Sequence, residues 1–433
     1  MKRIKNLPGK GFFVIFGIIG CGLALHAQDT ITLDFCYQQV LTTYPLTRQS
    51  ALLDNSSMLK VSNLNKNYLP SIYINGNASW QNEVTKVAIN LPAGMPQIEG
   101  PSIPKDQYKL TLDVTESIYD GNVTTYQKKL EKFNVNIDQK NVDASLYQLK
   151  DQINQFFFNI LLTQQNVILL QESKKLLDRK LVEVESAVRN GAMLKMNADL
   201  ISAEMIKLDQ NIYELSMDRQ ANIRMLSELI GFTLDEHSSF ALPLIVLPGY
   251  SYENKRIEND IFNVQRERVN LLKNMVTTKW NPKLWAYGQF GFGRPGYNFL
   301  SSDIAPMAMF GARLTWNPWN WNANRNEKKI FDIQGDILKN QQEAFDLTLR
   351  VTNKKTVTDI QKLTDLLIKD QDLVNLRAGI TLTASSQLSN GVITSSDFIL
   401  RVQDETHARM SQEIHKILLL KAKINYLYTI GKL

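Results

Sequence analysis

The sequence predicts a mainly α-helical, internally duplicated chain, helix–strand–strand–helix–turn–helix twice over, with two hairpins of strands set between the helices. Three observations carry this. Landmarks recur 200 residues apart: Asn190-Gly191 and Asn390-Gly391, Gly231 and Gly431, and the segments SIYDGN (117–122) and NPWNWN (317–322). Two 66-residue stretches, Val123–Val188 and Asn324–Ser389, lack proline; the first also lacks glycine, while the second carries Gly335 and Gly379. Four short segments alternate apolar and polar residues with the period of a strand.

The chain opens on a segment with the order of a secretory signal. Lys2, Arg3, Lys5 and Lys10 precede the apolar run Phe12–Gly20, and small residues and Leu25-His26-Ala27 come before Gln28. That run is too short to span a bilayer. Cleavage after Ala27 makes 1–27 a signal peptide. The alternative is that Ile18-Ile19-Gly20-Cys21 acts as a lipobox and Cys21 is the lipidated N-terminus. The formal charge of +6 includes those four leader cations, so the remainder carries only +2 and implies no nucleic-acid surface. Cys36 is the only other cysteine, which excludes an internal disulfide in an exported protein. Stability must come from packing or assembly, and Cys36 itself falls in a helical pattern as a small buried residue.

The first repeat (28–232) starts with a helical pattern from Leu33 to Tyr68, broken at Pro45 and stopped by Pro70. SIYINGNASW (71–80) then alternates Ile72, Ile74, Gly76, Ala78 and Trp80 against Tyr73, Asn75, Asn77 and Ser79. After the Pro/Gly-rich loop 89–105, a second strand at about 107–119 alternates Tyr108, Leu110, Leu112 and Val114 against Lys109, Thr111, Asp113 and Thr115. From Val123 onward Val142, Leu146, Leu149, Ile153, Phe156, Ile160, Val167, Leu170, Leu177, Leu181, Val184 and Val188 step by three, four or seven. That is a heptad seam on a helix of roughly 100 Å, longer than any ordinary globular core.

The second repeat (233–433) follows the same plan. A helical pattern around 256–279 is stopped by Pro282, strands are expected at about 283–293 and 307–317, and the second long helix follows. Each Asn-Gly is read as a left-handed helix stop where a long helix turns back. Thr394, Ser395, Ser396 and Asp397 restart the chain after Gly391; Asn197 and Asp199 do so more loosely after Gly191. The hairpin tips are therefore 190–197 and 390–397, both far from the strands.

Four strands with one apolar face each are not a finished object. In water they need a partner layer; in lipid an open sheet edge leaves backbone groups unsatisfied, so the sheet must close, and four strands per chain close only when several chains contribute. The opposite faces carry Asn, Lys, Asp, Gln and Arg, which suits a wet lumen. Tyr119, Trp316, Trp319 and Trp321, at the helix-side ends of the strands, read as an interfacial girdle or as ordinary strand-end packing.

The chain resembles the TolC-type outer-membrane efflux and secretion channels. Leu33 through Tyr44-Pro45, Tyr68-Leu69-Pro70, Ile118-Tyr119-Asp120-Gly121-Asn122, the two Asn-Gly turns, Gly231 and Gly431 carry the resemblance across the whole mature chain. It implies a homotrimer in the outer membrane of a Gram-negative bacterium, with a twelve-stranded barrel and a long α-helical barrel crossing the periplasm. It also implies a periplasmic adaptor (membrane fusion) protein and an inner-membrane transporter of RND or ABC type as partners, with outer-membrane lipid around the barrel. The role implied is a passive exit duct for an efflux pump or a type I secretion system. In the family an acidic residue six positions after the second hairpin glycine lines the periplasmic aperture; here that is Asp397, while the first-repeat position is the uncharged Asn197. Asp397 is equally placed to cap its helix. Two departures stand out: NPWNWNAN replaces a glycine-containing turn, and Cys36 replaces a small alanine.

Enzyme chemistry finds no support. His237, His407 and His415 form no zinc motif, no phosphate loop is present, and Gly288, Gly291 and Gly293 sit in or beside a strand with no helix following directly. No cofactor and no metal are expected. The alternative class is a structural periplasmic coiled-coil adaptor without a membrane barrel, which would need longer all-β regions with dry cores and no internal repeat.

Overall fold

The computed structural model describes residues 30–433 apart from 86–91, 93, 96–102, 237, 248, 251–252 and 300. The signal-peptide reading, Cys21 and His237 lie outside the described residues, as does much of the loop between the first two strands.

The helices fall in two matched pairs. α3 (Val123–Arg189) and α6 (Ala323–Ser389) are 67 residues each; α4 (Lys195–Ile230) and α7 (Ser395–Ile430) are 36 each. Each long helix therefore spans roughly 100 Å. Before them stand α1 (Leu33–Thr43) and α2 (Gln49–Asn65) in the first half and α5 (Ile257–Met275) in the second. The duplication thus covers α2 to α4 and α5 to α7, and α1 is an addition to the first half. α1 is capped by Thr32, whose Oγ1 accepts the Phe35 N–H at 3.2 Å, and ends at Thr43, with Tyr44 as the extended residue before Pro45.

The same local chemistry ends all four hairpin helices. Gly191, Gly231, Gly391 and Gly431 have φ between 61° and 78°. At the tips the Gly191 and Ala192 N–H groups donate to Val188 and Ala187 carbonyls at 3.0 and 2.8 Å, and Gly391 and Val392 repeat this with Leu388 and Gln387 at the same distances. This is a Schellman closure, and it requires a residue that tolerates the left-handed region.

β1 (Ser71–Trp80), β2 (Asp106–Tyr119), β3 (Lys283–Arg294) and β4 (Ala305–Thr315) form one antiparallel sheet in the order β1-β2-β3-β4. The last strand departs from its expected span of 307–317. It starts two residues earlier and stops at Thr315, opposite Lys283 where β3 begins, leaving Trp316 just outside.

Around α3, helices α2, α4, α5 and α7 all pack, and α6 lies against α5 and α7. The core has two main parts. One gathers α1, the middle of α3 and the last turns of α4 and α7 around Phe157, Phe158, Ile223 and Ile417. The other joins the two hairpins near their tips through Leu177, Val184, Ile201, Leu388, Phe398 and Val402. The heptad reading names Phe156, which is only partly buried, and omits Phe157 and Phe158, which are fully buried. There α1, α4 and α7 all converge on α3, so burial covers more than one seam. Cys36 is fully buried in this region, and burial pushes its thiol up to about 12, so it is inert at neutral pH.

Candidate functional site

Two regions have a geometry that goes beyond packing: the sheet and the hairpin tips.

The register of the sheet sorts every strand residue onto one of two faces. On one, Ile72 and Ile74 stand opposite Val114 and Leu112, Leu110 and Leu112 opposite Phe292 and Phe290, and Gly288 and Leu284 opposite Phe310 and Leu314. Ile72, Ile74, Leu110, Phe292, Phe310 and Leu314 are all exposed, and Ile74 keeps 76% of its surface. This face is apolar along the middle of the strands, with Glu116 toward one end and the paired Asp106 and Arg294 at the other, and an exposed apolar patch of this extent marks a surface made to be covered. On the other face Asp113 accepts hydrogen bonds from Asn75, from Gln289 at 2.6 Å and from Thr111 at 3.4 Å. Gln289 in turn accepts from Lys109 at 3.1 Å and from Tyr297 at 3.0 Å. No other described strand pairs with β1 or β4 at the outer edges.

Tyr119, Trp316, Trp319 and Trp321 are all exposed at the helix-side ends of the strands. Trp316 donates through Nε1 to the Trp280 carbonyl at 3.0 Å, and Trp319 meets Trp321 edge to face at 5.7 Å. Trp321 and Asn322 have φ of 53° and 63°, where the first repeat has Gly121 and Asn122, both at 71°. The backbone turn is therefore conserved between repeats although its glycine is not, and an indole sits where a side chain costs about 1–2 kcal/mol.

At the second tip Thr394 and Asp397 form a reciprocal capping box. Thr394 Oγ1 accepts the Asp397 N–H at 3.2 Å, while Asp397 Oδ2 accepts from the Thr394 N–H at 3.1 Å and its hydroxyl at 2.7 Å. These bonds, the Thr394 hydroxyl first, hold the Asp397 carboxyl below the usual carboxylate range. The side chain remains exposed beside the α6/α7 groove that Leu376, Ile380 and Arg401 also line.

At the first tip α4 starts at Leu194 with no side-chain cap. Asn197 does not close its own helix in the manner of Asp397. Its Oδ1 instead accepts the Ser395 N–H of α7 at 3.1 Å, across the interface between hairpins. Lys180, buried on α3, donates to Glu183 at 2.5 Å and to Ser389 at the end of α6 at 2.8 Å; Ser389 donates to Glu183 at 3.0 Å. Gln403 reaches Glu204 at 2.7 Å. Sequence reading missed these links. Asn197, Lys180 and Ser389 are individually unremarkable polar helix residues, and only the juxtaposition of the two hairpins pairs them.

Among the described residues no three His, Cys, Asp or Glu side chains converge as metal ligands, and no helix is long and apolar enough to cross a membrane.

No family model and no curated protein matches the chain. Solved structures do. The outer membrane protein VceC from Vibrio cholerae matches with a TM-score of 0.66 at 11% identity, over 92% of this chain and 96% of that one. The outer-membrane channel OprN matches at 0.68 and 12%, over 92% and 90%, and the open-state Neisseria gonorrhoeae MtrE channel at 0.64 and 13%, over 92% and 88%. The chain therefore has the TolC-type fold of these outer-membrane channels over nearly its whole length.

Proposed function

We propose that the protein is an outer-membrane exit duct, passively conducting substrates from the periplasm to the exterior of a Gram-negative cell. The observation that carries this reading is the sheet: its apolar face is exposed, its other face holds a hydrogen-bonded polar network, and neither edge pairs with another described strand. A lipid-facing wall around a wet lumen needs this distribution, whereas a soluble adaptor domain would have to cover the apolar face. Closure needs further copies, and three chains would supply twelve strands. The helical layer supports the same assembly. α6 exposes Ile330, Ile333, Ile337, Leu347 and Val351, and on the opposite edge α2 exposes Leu52, Met58 and Leu59. Stripes at helical spacing on both edges are what neighbouring copies would cover.

In this reading Tyr119, Trp316, Trp319 and Trp321 anchor the barrel at the inner interface. The tips carrying Asn190-Gly191 and Asn390-Gly391 form the periplasmic aperture, where Asn197 and Asp397 stand. A periplasmic adaptor opens the aperture, and an inner-membrane transporter of RND or ABC type supplies the energy, as part of a tripartite pump or a type I secretion system. Mass measurement in detergent together with planar-bilayer recording tests the core of the proposal. A heat-sensitive trimer that conducts is expected, and a stable monomer that conducts would overturn it.

A further inference from the structure

We propose that the polar face of the sheet carries a binding cleft for aromatic organic anions, built on Arg313, Trp285, Tyr287 and Tyr73. It rests on the reading of that face as the lumen. Trp285 and Arg313 are direct cross-strand partners on β3 and β4, and Tyr287 is partnered by Gly311. A Cβ at position 311 would stand 2.5 Å from the Tyr287 ring, so the absence of a side chain there lets the ring lie across β4. The Arg313 guanidinium stands 5.6 Å from the centre of that ring. Tyr73 on β1 and Met309 on β4 help to line the resulting cleft of about 620 Å³, within the range of sites for small organic ligands.

Charge decides which ligand fits. The polar face of the strands carries Lys109, Lys283 and Arg313 against a single acid, Asp113. Asp113 is already occupied by Asn75, Gln289 and Thr111, and Lys109 is turned to Gln289. Arg313 makes no ion pair among the described residues, although its guanidinium offers five donors. Barrel closure would not neutralise it. The strand set against β4 would be β1 of another copy, whose residues on this face are Ser71, Tyr73, Asn75, Asn77 and Ser79, none of them acidic. A guanidinium with no ion partner among the described residues, set over the Tyr287 ring and opposite Trp285 in a cleft that Tyr73 also lines, favours a ligand with a negative group and a flat ring. An aliphatic anion lacks the ring, and an aromatic cation meets the wrong charge.

The test adds 2-naphthalenesulfonate, methanesulfonate or benzylammonium to the purified assembly in planar bilayers, with calorimetry of the same compounds in detergent. 2-Naphthalenesulfonate is expected to block and to bind at least about tenfold more strongly than either control, and Arg313→Gln to weaken it about tenfold, the loss of one charge-assisted hydrogen bond. Equal action of methanesulfonate, or undiminished binding in an Arg313→Gln protein that still assembles, overturns the cleft. Conductance without calorimetric binding overturns it as well. Binding without any conductance leaves the cleft standing and overturns the duct reading instead.

Discussion

At the first tip α3 ends at Arg189 and α4 restarts at Lys195; at the second α6 ends at Ser389 and α7 restarts at Ser395. The backbones match bond for bond, down to the paired Schellman distances. The side chains do not. The second tip caps itself with Thr394 and Asp397 and drives Phe398, fully buried, into the shared core. The first tip has Leu194 and Ala198 at the equivalent positions, and it sends Asn197 across to α7. Duplication preserved the element lengths and turns, while the closing interactions became concentrated on the second hairpin, with the first leaning on it.

The largest effect that would break this asymmetry is in the core. Phe398→Ala should destabilise the folded assembly by about 3–5 kcal/mol, whereas Ala198→Gly should cost only about 1 kcal/mol. Thermal unfolding in detergent compares them, and equal losses would remove the asymmetry.

Next comes the link between hairpins. Asn197→Ala strips a partner from the N–H of Ser395, a fully buried residue, and should cost about 1–2 kcal/mol. Hydrogen exchange should report faster opening at the start of α7 than at the start of α4; the reverse order would contradict the link.

Capping should separate the tips with opposite signs. Thr394→Ala should lose about 1 kcal/mol, while Leu194→Ser should be neutral or stabilising by up to about 1 kcal/mol, because Leu194 already has the extended backbone of a cap residue. The same melting experiment reads both. A loss in Leu194→Ser would show that the exposed leucine has a role of its own.

The smallest structural effect and the most specific functional one belong to Asp397. Asp397→Asn keeps an acceptor for Thr394, so the fold should survive, while the charge disappears. Three such carboxylates around a narrow aperture would attract cations, opposing the cationic polar face of the sheet. Reversal potentials should therefore move toward anion preference in Asp397→Asn, and unchanged selectivity would leave only the capping role. Since the folded state depresses this carboxyl, its contribution to stability is full above the ordinary aspartate value. It should be lost only as pH falls through the lower folded one, below about pH 4. Cation preference should accordingly be flat from neutral pH to about 5, and a transition nearer neutrality would contradict the capping geometry.

The sites were legible to different degrees for a physical reason. Asn190-Gly191 and Asn390-Gly391 could be read as helix ends because a left-handed stop is a contest within six residues. The two faces of the sheet could be read from Ile72 to Trp80 because strand periodicity is local as well. Asp397 could be read locally as a cap, and its capping box is present, whereas its proposed place at an aperture comes from the resemblance and not from any local pattern. Asn197 was recognisable only as a position, since its partner lies 198 residues away.

By itself the sequence determined which segments are helix or strand, where they turn, the 200-residue duplication and the chemistry of each strand face. All of these follow from backbone propensity, glycine conformation and short-range periodicity. Only the tertiary structure decided the pairing of β2 with β3 across the two halves. It alone set Trp285 opposite Arg313, buried Phe157 and Phe158 beside the half-buried Phe156, and brought Lys180 to Ser389 and Asn197 to Ser395. Those contacts join residues far apart in the chain, and their energy appears only after the cost of closing long loops has been met, so no local pattern encodes them.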